Sequence, residues 1–355
     1  MFGSDIQIQC NDQRANSESE NQERTTAQGQ RTSNRKPNAF YRFPLYSYFL
    51  QFHRMQRNIL FILLAGVLFL SSCADHFSAS KEIITTCKEG TSLRKVLFIG
   101  IDGVRTDALQ LANTPAIDSL LTQSYVSWNT DRGPYTVSVP GWTSILHGVW
   151  PAKHGLTENS FKHNRYQHYP DLFARVKSVN NQLSVATCSH WDDFLKITSM
   201  EDFAQRYASD ADLSAGVKSK LGSCCPDILL MHFDDTDHAG HTYGFSPDVA
   251  EYIDAIETVD GYIQEIMNII RNREQLYNEE WMVVLTTDHG GEGTGHGGQD
   301  DLPQTRKVWS IVRIPSLVSP VLQASANSVD LLPTMMNWMG VDPANFSDLD
   351  GTKFF

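Results

Sequence analysis

Three kinds of feature are scarce in this chain. Its 355 residues include 6 cysteines, and no two of these have the Cys-x2-Cys spacing that is typical of structural zinc sites. The 29 Lys and Arg are outnumbered by 41 Asp and Glu, and the longest unbroken apolar run has 12 residues. These shortages exclude a disulfide scaffold, argue against nucleic-acid binding, and leave no stretch near the roughly 20 residues of a membrane-spanning helix.

The remaining composition is that of a folded domain. Hydrophobic residues make up 41% and charged residues 20%, and the length allows one large domain or two of ordinary size. The charge is unevenly distributed, because residues 1–72 carry a net charge of +3 and residues 73–355 a net charge of −15. This division indicates that two different kinds of sequence are joined in one chain.

The first 72 residues have the pattern of an export signal. The polar part of residues 1–54 shows no periodicity, and a basic start at Met55 leads into the apolar run Ile59–Leu70. A basic start, a short apolar core and a small-residue end are typical of a secretory signal. We therefore expect residues 55–72 to be a signal peptide, and residues 1–54 to be a misassigned upstream start or a disordered segment.

The end of this signal, Leu70-Ser71-Ser72-Cys73, resembles the lipobox of bacterial lipoproteins. The resemblance implies that Cys73 is lipidated and becomes the mature N-terminus, followed by a tether over residues 73–93. It also implies an exported bacterial lipoprotein, anchored by its lipid at the outer membrane and facing the periplasm or the cell surface.

Four further cysteines would then lie in an oxidising compartment: Cys87, Cys188, Cys224 and Cys225. A bond between the adjacent Cys224 and Cys225 needs strained geometry, so two of the three possible pairings stay open. Nothing in the sequence selects between these two pairings or shows that they form.

Residues 94–355 are predicted to form one α/β domain. Apolar runs of strand length occur at Lys95–Ile101, Ser184–Thr187, Asp227–Phe233 and Trp281–Thr287. They are continuous rather than alternating, which indicates strands covered on both faces, as in a parallel sheet. A long helix is expected after Ser246-Pro247, with the serine as N-cap and the proline in the first turn. The order of these elements predicts a doubly wound α/β sandwich with a mostly parallel central sheet flanked by helices.

Residues that can bind metal ions follow three of these strands. In open α/β sheets, ligands bind outside the carboxyl ends of the strands, so we expect these side chains to meet at one edge. The set is Asp102, Asp237, His241, Asp288, His289 and His296, with the hydroxyl of Ser138 as a further donor. Carboxylates and imidazoles together suit zinc, although other divalent metals are possible. Six such ligands are too many for one tetrahedral ion and fit two, an arrangement suited to phosphoryl displacement.

Several segments resemble the alkaline phosphatase superfamily, in particular its nucleotide pyrophosphatase/phosphodiesterase branch. They are IDGVRTDAL (101–109), SVPGWTSILHGVWPAKHG (138–155), DHAGHTYG (237–244) and TTDHGGEGTGHGG (286–298). The resemblance covers residues 95–355 and implies an alkaline-phosphatase-like catalytic domain over 94–355. It implies a two-zinc hydrolase of phosphodiester or pyrophosphate bonds, acting on a small phosphate ester or a nucleotide-like substrate.

The resemblance also assigns roles. It implies that one Zn²⁺ is held by Asp102, Asp288 and His289 beside the nucleophile Ser138, and the other by Asp237, His241 and His296. Catalysis would then pass through a phosphoseryl intermediate on Ser138. Members of the family often have Thr as nucleophile and commonly Asn after the following Pro, where it donates to a phosphate oxygen. Here that position is Gly141, and we take Gly141 and Trp142 as candidate substrate-binding residues.

Three other functions remain open. A phosphate monoesterase shares the site, but the arginine that clamps a monoester is not identifiable, although Arg105 and Arg132 lie near the site in sequence. A sulfatase would read Ser-x-Pro-x-Arg, where this chain has Trp142 in place of the arginine. A non-catalytic, zinc-stabilised surface protein that binds a glycan or a protein partner is the third.

Overall fold

A computed structural model describes residues 89–323 and 325–355. The expected signal peptide, its lipidation site Cys73 and most of the tether lie outside the described residues, so those predictions remain predictions. Within the described part, no helix combines the length and the apolar character that crossing a bilayer requires.

A mixed sheet of nine strands forms the centre of the described part of the chain. The strands are β1 (Arg94–Ile101), β2 (Ser124–Asp131), β3 (Val185–Ser189), β4 (Phe203–Arg206), β5 (Ile228–Phe233), β6 (Glu280–Thr286), β7 (Lys307–Arg313), β8 (Val321–Leu322) and β9 (Ala326–Asn327). Their order is β4-β3-β5-β1-β6-β7-β2-β8, with β9 beside β2. The first five strands in this order run parallel, and β7 is antiparallel to both of its neighbours. The predicted mostly parallel α/β sheet is therefore confirmed.

Both faces of the sheet are covered, which explains the continuous apolar runs. In β1, Leu97 and Ile99 pack into one buried cluster, whereas Val96 and Phe98 pack into another on the opposite face. All four side chains are inaccessible to solvent. A strand buried on both faces needs apolar residues at every position, not at alternate ones.

Ten α-helices lie in the described residues. They are α1 (Thr106–Leu111), α2 (Pro115–Leu121), α3 (Ser138–His147), α4 (Pro151–His154), α5 (Leu172–Val179), α6 (Asp210–Ser223), α7 (Asp235–Tyr243), α8 (Ala250–Tyr277), α9 (Pro303–Arg306) and α10 (Leu331–Trp338). Helices α6 and α8 contribute to the cluster on one face, and α3, α5 and α10 to the cluster on the other. The described part of the chain thus has a central sheet flanked by helices on both faces, as the sequence predicted.

The long predicted helix is α8, but its start was predicted wrongly. The helix begins at Ala250 with Val249 as its N-cap residue. The hydroxyl of Ser246 instead accepts a hydrogen bond from the N–H of Asp248, and the N–H of Val249 donates to the carbonyl of Ser246. Ser246 therefore closes a turn ahead of the helix and does not cap it.

Neither of the two disulfide pairings that joined all four cysteines forms. Cys188 lies within β3, and it and Cys225 are buried free thiols. Cys224 is disulfide-bonded. Burial raises the pKa of both free thiols to about 12, which disfavours the thiolate through which disulfides form.

Candidate active site

The predicted ligands lie at one edge of the sheet because they follow three neighbouring parallel strands. Asp102 comes directly after β1, and Asp288 and His289 follow β6. Asp237 and His241 lie on α7, which begins just after β5. Since β5, β1 and β6 are adjacent and parallel, their carboxyl ends meet, and the structure brings these residues together.

Asp102, Asp288 and His289 form what we call the inner cluster. The Nε2 atom of His289 lies 3.3 Å from Asp102 Oδ1 and 3.4 Å from Asp288 Oδ2. The hydroxyl oxygen of Ser138 lies 3.2 Å from the same nitrogen. All four residues are buried, so the side chains of the inner cluster and the Ser138 hydroxyl are shielded from solvent.

Asp237, His241 and His296 form the outer cluster. The Nε2 atom of His241 lies 3.2 Å from Asp237 Oδ2, and that of His296 lies 3.7 Å from Asp237 Oδ1. The two Nε2 atoms are 3.2 Å apart. The rings of His289 and His296 stack with 3.7 Å between their centroids, so the two clusters are adjacent.

Each of the three histidines is held by its other ring nitrogen. The Nδ1 atoms of His241, His289 and His296 lie 2.9, 2.8 and 2.6 Å from the backbone carbonyls of Thr294, Gly290 and Thr136. A carbonyl only accepts, so each Nδ1 carries a hydrogen, and each Nε2 is directed at its cluster, where the neutral ring offers a lone pair. This is the orientation that metal-binding histidines adopt.

The carboxylates also fit a cation. Among the described residues, Asp102 Oδ1, Asp237 Oδ1 and Asp288 Oδ2 are buried without a hydrogen-bond partner. Unpaired buried carboxylate oxygens are costly unless a cation balances them. Zinc ligands held tetrahedrally at 2.0–2.2 Å lie about 3.3 Å from one another, close to the inner-cluster separations of 3.3 and 3.4 Å. The two clusters therefore suit two divalent ions.

The pKa values of the clustered residues also bear on cation binding. Burial raises the pKa of Asp288 well above its usual range, and the nearby Asp102 adds to the effect. Burial acts in the same sense on Asp102, but hydrogen bonds and the neighbouring His289 outweigh it and hold its pKa well below the usual value. Without a bound ion, the hydrogen bond with Asp237 raises the pKa of His241 to about 9, so a proton then occupies Nε2, and a cation bound there would replace it. A cation bound between Asp288 and Asp102 would favour the charged form of Asp288, against the burial and the neighbouring carboxylate that raise its pKa.

Ser138 is the first residue of α3, with Val137 as the N-cap residue. A helix N-terminus favours negative charge, which suits attack on a phosphate. The N–H of Val139 donates to Asn159 Oδ1, and that of Gly141 donates to the carbonyl of Val137. Asn159 thus borders the predicted nucleophile, and no motif in the sequence marks it.

The two candidate substrate-binding residues have other surroundings. A Cβ atom at Gly141 would lie 2.6 Å from Arg132 Nη2 and 2.9 Å from Asp288 Cβ, so no side chain fits there. Trp142 is completely buried, and its indole N–H donates to Asp102 Oδ2 at 3.0 Å. The prediction that Trp142 binds substrate was therefore wrong, because its ring lies in the core behind Asp102.

The two arginines near the site are engaged by the protein itself. Arg132 is buried and donates to three backbone carbonyls around Ser138 and Asp288. Arg105 forms ion pairs with Asp107 and Glu292. Neither guanidinium is arranged as a clamp for a phosphate.

A sheet of this order, with clusters of His and Asp at the carboxyl ends of its parallel strands, defines a protein of the alkaline phosphatase superfamily. The family described as type I phosphodiesterase / nucleotide pyrophosphatase matches residues 96–171 and 162–306. The chain belongs to this family, which confirms the resemblance that its motifs indicated.

Individual relatives are distant. GPI ethanolamine phosphate transferase 3 of Schizosaccharomyces pombe is 24% identical over 192 residues, which are 50% of this chain and 20% of that protein. Bis(5'-adenosyl)-triphosphatase ENPP4 of Bos taurus is 22% identical over 231 residues, 59% of this chain and 50% of that protein. The chain thus spans half or less of the length of these relatives.

A solved structure supports the fold. Murine ectonucleotide pyrophosphatase / phosphodiesterase 5, in an inactive form in complex with AMP, superposes with a TM-score of 0.58 at 14% identity. The match covers 70% of this chain and 95% of that chain. At this identity the likeness establishes the shared architecture.

Proposed function

We propose that this protein hydrolyses phosphate esters, with phosphodiester or pyrophosphate bonds as its preferred targets. The observation that carries the proposal is the pair of His and Asp clusters beside the Ser138 hydroxyl, with their Nε2 atoms and unpaired carboxylate oxygens facing one another. The printed names of the relatives, a bis(5'-adenosyl)-triphosphatase and an ethanolamine phosphate transferase, support chemistry at phosphate groups.

The inner cluster would hold one divalent ion next to Ser138, and the outer cluster would hold the second. Zn²⁺ suits this mixture of imidazole and carboxylate donors best. When bound, the two ions supply Lewis acidity and favour deprotonation of hydroxyl groups and water at neutral pH.

Ser138 is the proposed nucleophile. Its first-turn position on α3 directs the hydroxyl toward the inner cluster, where it lies 3.2 Å from His289 Nε2. The Oγ–P bond forms as the P–O bond to the leaving group breaks; the serine hydroxyl releases its proton to water, and the departing oxygen takes up one proton from water. Water then cleaves the Oγ–P bond and restores the serine hydroxyl.

The surroundings of the site favour diesters over monoesters. A monoester phosphate carries one more negative charge than a diester and benefits from a dedicated cation. Arg132 is committed to backbone carbonyls and Arg105 to two carboxylates, so neither is arranged to supply one. Diester or pyrophosphate bonds are therefore the expected targets in preference to monoesters.

The test is a parallel assay of the purified full chain with Zn²⁺ on nitrophenyl phosphate, a nitrophenyl nucleotide diester and nitrophenyl sulfate. We expect the diester to react fastest and a chelator to abolish turnover. Ser138→Ala should lower kcat by about 10³-fold or more, because the covalent route is lost. Ser119→Ala, at an exposed position of α2, is the matched control and should leave the rate unchanged.

Each other outcome replaces the proposal with a named alternative. Dominant turnover of the monoester would make the protein a phosphatase, and dominant turnover of the sulfate a sulfatase. Two bound ions with no turnover of any ester would make it a zinc-stabilised binding protein.

A further inference from the structure

The two carboxylate oxygens of Asp102 have different surroundings. Oδ1 faces His289 and has no hydrogen-bond partner among the described residues. Oδ2 accepts two hydrogen bonds, one from Trp142 Nε1 at 3.0 Å and one from His232 Nε2 at 3.0 Å. Both donor side chains are completely buried. One oxygen is therefore fixed by the protein, and the other is left for a ligand.

The His232 ring is held from several sides. It lies on β5 and pairs with Gly100 of β1, two residues before Asp102. Its ring stacks on Phe194 at 4.5 Å between centroids and meets the Trp142 ring edge-on at 5.1 Å. Since a carboxylate only accepts, Nε2 must carry a hydrogen. The imidazole is thus a donor of fixed orientation, comparable to the indole beside it.

We propose that His232 and Trp142 are positioning residues that hold Asp102 for metal binding in the inner cluster. Two donors on Oδ2 stop the carboxylate from rotating and keep Oδ1 directed at His289. Groups that hydrogen-bond to a metal ligand in this way typically change metal affinity 10–100-fold. The inference rests on the proposed function, because it concerns the same metal site.

A different role for His232 can be read from the same geometry. Donor atoms of Asp102, His232 and Asp234 lie within 4.8 Å of one another, so these residues could hold an ion themselves. However, the indole of Trp142 can only donate, and it occupies the same Oδ2 atom that His232 contacts. An N–H group directed at that oxygen opposes a cation there, which favours the positioning role.

The experiment is a Zn²⁺ titration of the metal-stripped full chain by calorimetry, which measures the number of bound ions and each affinity. We expect two ions for the wild type. His232→Leu and Trp142→Phe should each weaken one of them about 10–100-fold and leave the other unchanged. His232→Gln, whose amide can still donate, should restore part of the lost affinity. His238→Leu is the matched control, since that histidine is 60% exposed and contacts Asp234 but not Asp102.

The outcomes separate this inference from the proposed function. If the wild type holds two ions and both variants bind them equally well, the positioning role is wrong while the proposed function stands. If the wild type holds no metal, both are wrong. If the wild type binds a third ion that His232→Leu does not bind, His232 is itself a metal ligand, and the positioning role is wrong. Circular dichroism of the metal-free variants shows whether they fold. If His232→Leu does not fold, Trp142→Phe and His232→Gln still test the positioning role.

Discussion

Gly141 shows how the size of a single residue matters at this site. It lies between the guanidinium of Arg132 and the Cβ atom of Asp288, at distances that leave no space for a methyl group. Arg132 cannot easily move away, because it donates to three backbone carbonyls in the interior. Any side chain at position 141 must therefore displace groups that support the inner cluster.

We expect Gly141→Ala to lower the free energy of unfolding by about 1–3 kcal/mol, as overpacking of an interior does. The added methyl group would also displace the Asp288 side chain from its position in the inner cluster. We therefore expect kcat/KM for the diester to fall. Urea denaturation and initial rates measure the two effects.

The control is Gly261→Ala at an exposed position of α8, where an added Cβ would meet nothing within 4 Å. It should raise the free energy of unfolding by about 0.5–1 kcal/mol, since glycine is a poor helix former. Equal stability of the Gly141→Ala variant and the wild type would contradict the argument.

At the scale of the elements, α3 and α4 contact each other through a buried histidine. His154 Nδ1 accepts a hydrogen bond from the N–H of Leu156, and Nε2 lies 3.0 Å from Ser144 Oγ on α3. Burial, with a smaller contribution from His147, lowers the pKa of His154 to about 3. The ring is thus neutral and donates to the serine in the folded state.

This shift predicts a pH dependence of stability. Between about pH 6.5 and pH 3 the unfolded chain binds a proton at His154 that the folded chain does not, so the free energy of unfolding falls as the pH falls. One such proton contributes up to about 1.4 kcal/mol per pH unit. His154→Gln should therefore lose less stability than the wild type between pH 7.5 and pH 5.5.

Urea denaturation at the two pH values measures the difference, and contributions from other acids cancel between the two proteins. His168→Gln, at an exposed position, should behave like the wild type. Parallel loss of stability in wild type and His154→Gln would show that this histidine is not the cause.

At the scale of the whole molecule, the proposed metal ions link distant parts of the chain. The inner cluster joins the ends of β1 and β6, and the outer cluster joins α7 to the loop that carries His296. An ion that binds only the folded state stabilises the whole domain by mass action.

Removal of metal should therefore lower Tm. At a free Zn²⁺ concentration of 100 times Kd, one ion contributes about 2.7 kcal/mol, which corresponds to about 5–10 °C for a domain of this size. Scanning calorimetry with and without a chelator measures the shift, and added Zn²⁺ should reverse it. In Asp237→Asn the chelator should have a smaller effect than in the wild type. A Tm that does not respond to the chelator would argue against bound ions.

Local signals in the sequence were sufficient for much of the architecture. The strands β1, β5 and β6 are continuous apolar runs, and the apolar spacing of α8 marks its buried face. The metal-binding residues could be placed at one edge because they follow those strands directly. Both kinds of signal depend on neighbours within a few positions along the chain, which is the range over which periodicity carries information.

The start of α8 shows where local signals end. Ser246-Pro247 has the composition of a helix start, yet the serine hydroxyl closes a turn instead. The strands β2 and β7, which pair antiparallel beside the parallel strands, carry no comparable continuous run and were not predicted. Which residue caps a helix and which strands pair depend on competition between alternative contacts. A local sequence pattern does not show which of these contacts is the more stable.

By itself, the sequence determined the layers of the fold, the family and the residues that meet at the carboxyl edge of the sheet. Only the tertiary structure decided what surrounds them: Trp142 and His232 on one oxygen of Asp102, and Arg132 on the carbonyl of Asp288. These partners are 40, 130 and 156 positions apart in the chain. Such contacts arise when buried polar groups find donors within a packed core, so they depend on the whole arrangement of strands and helices and on no local pattern.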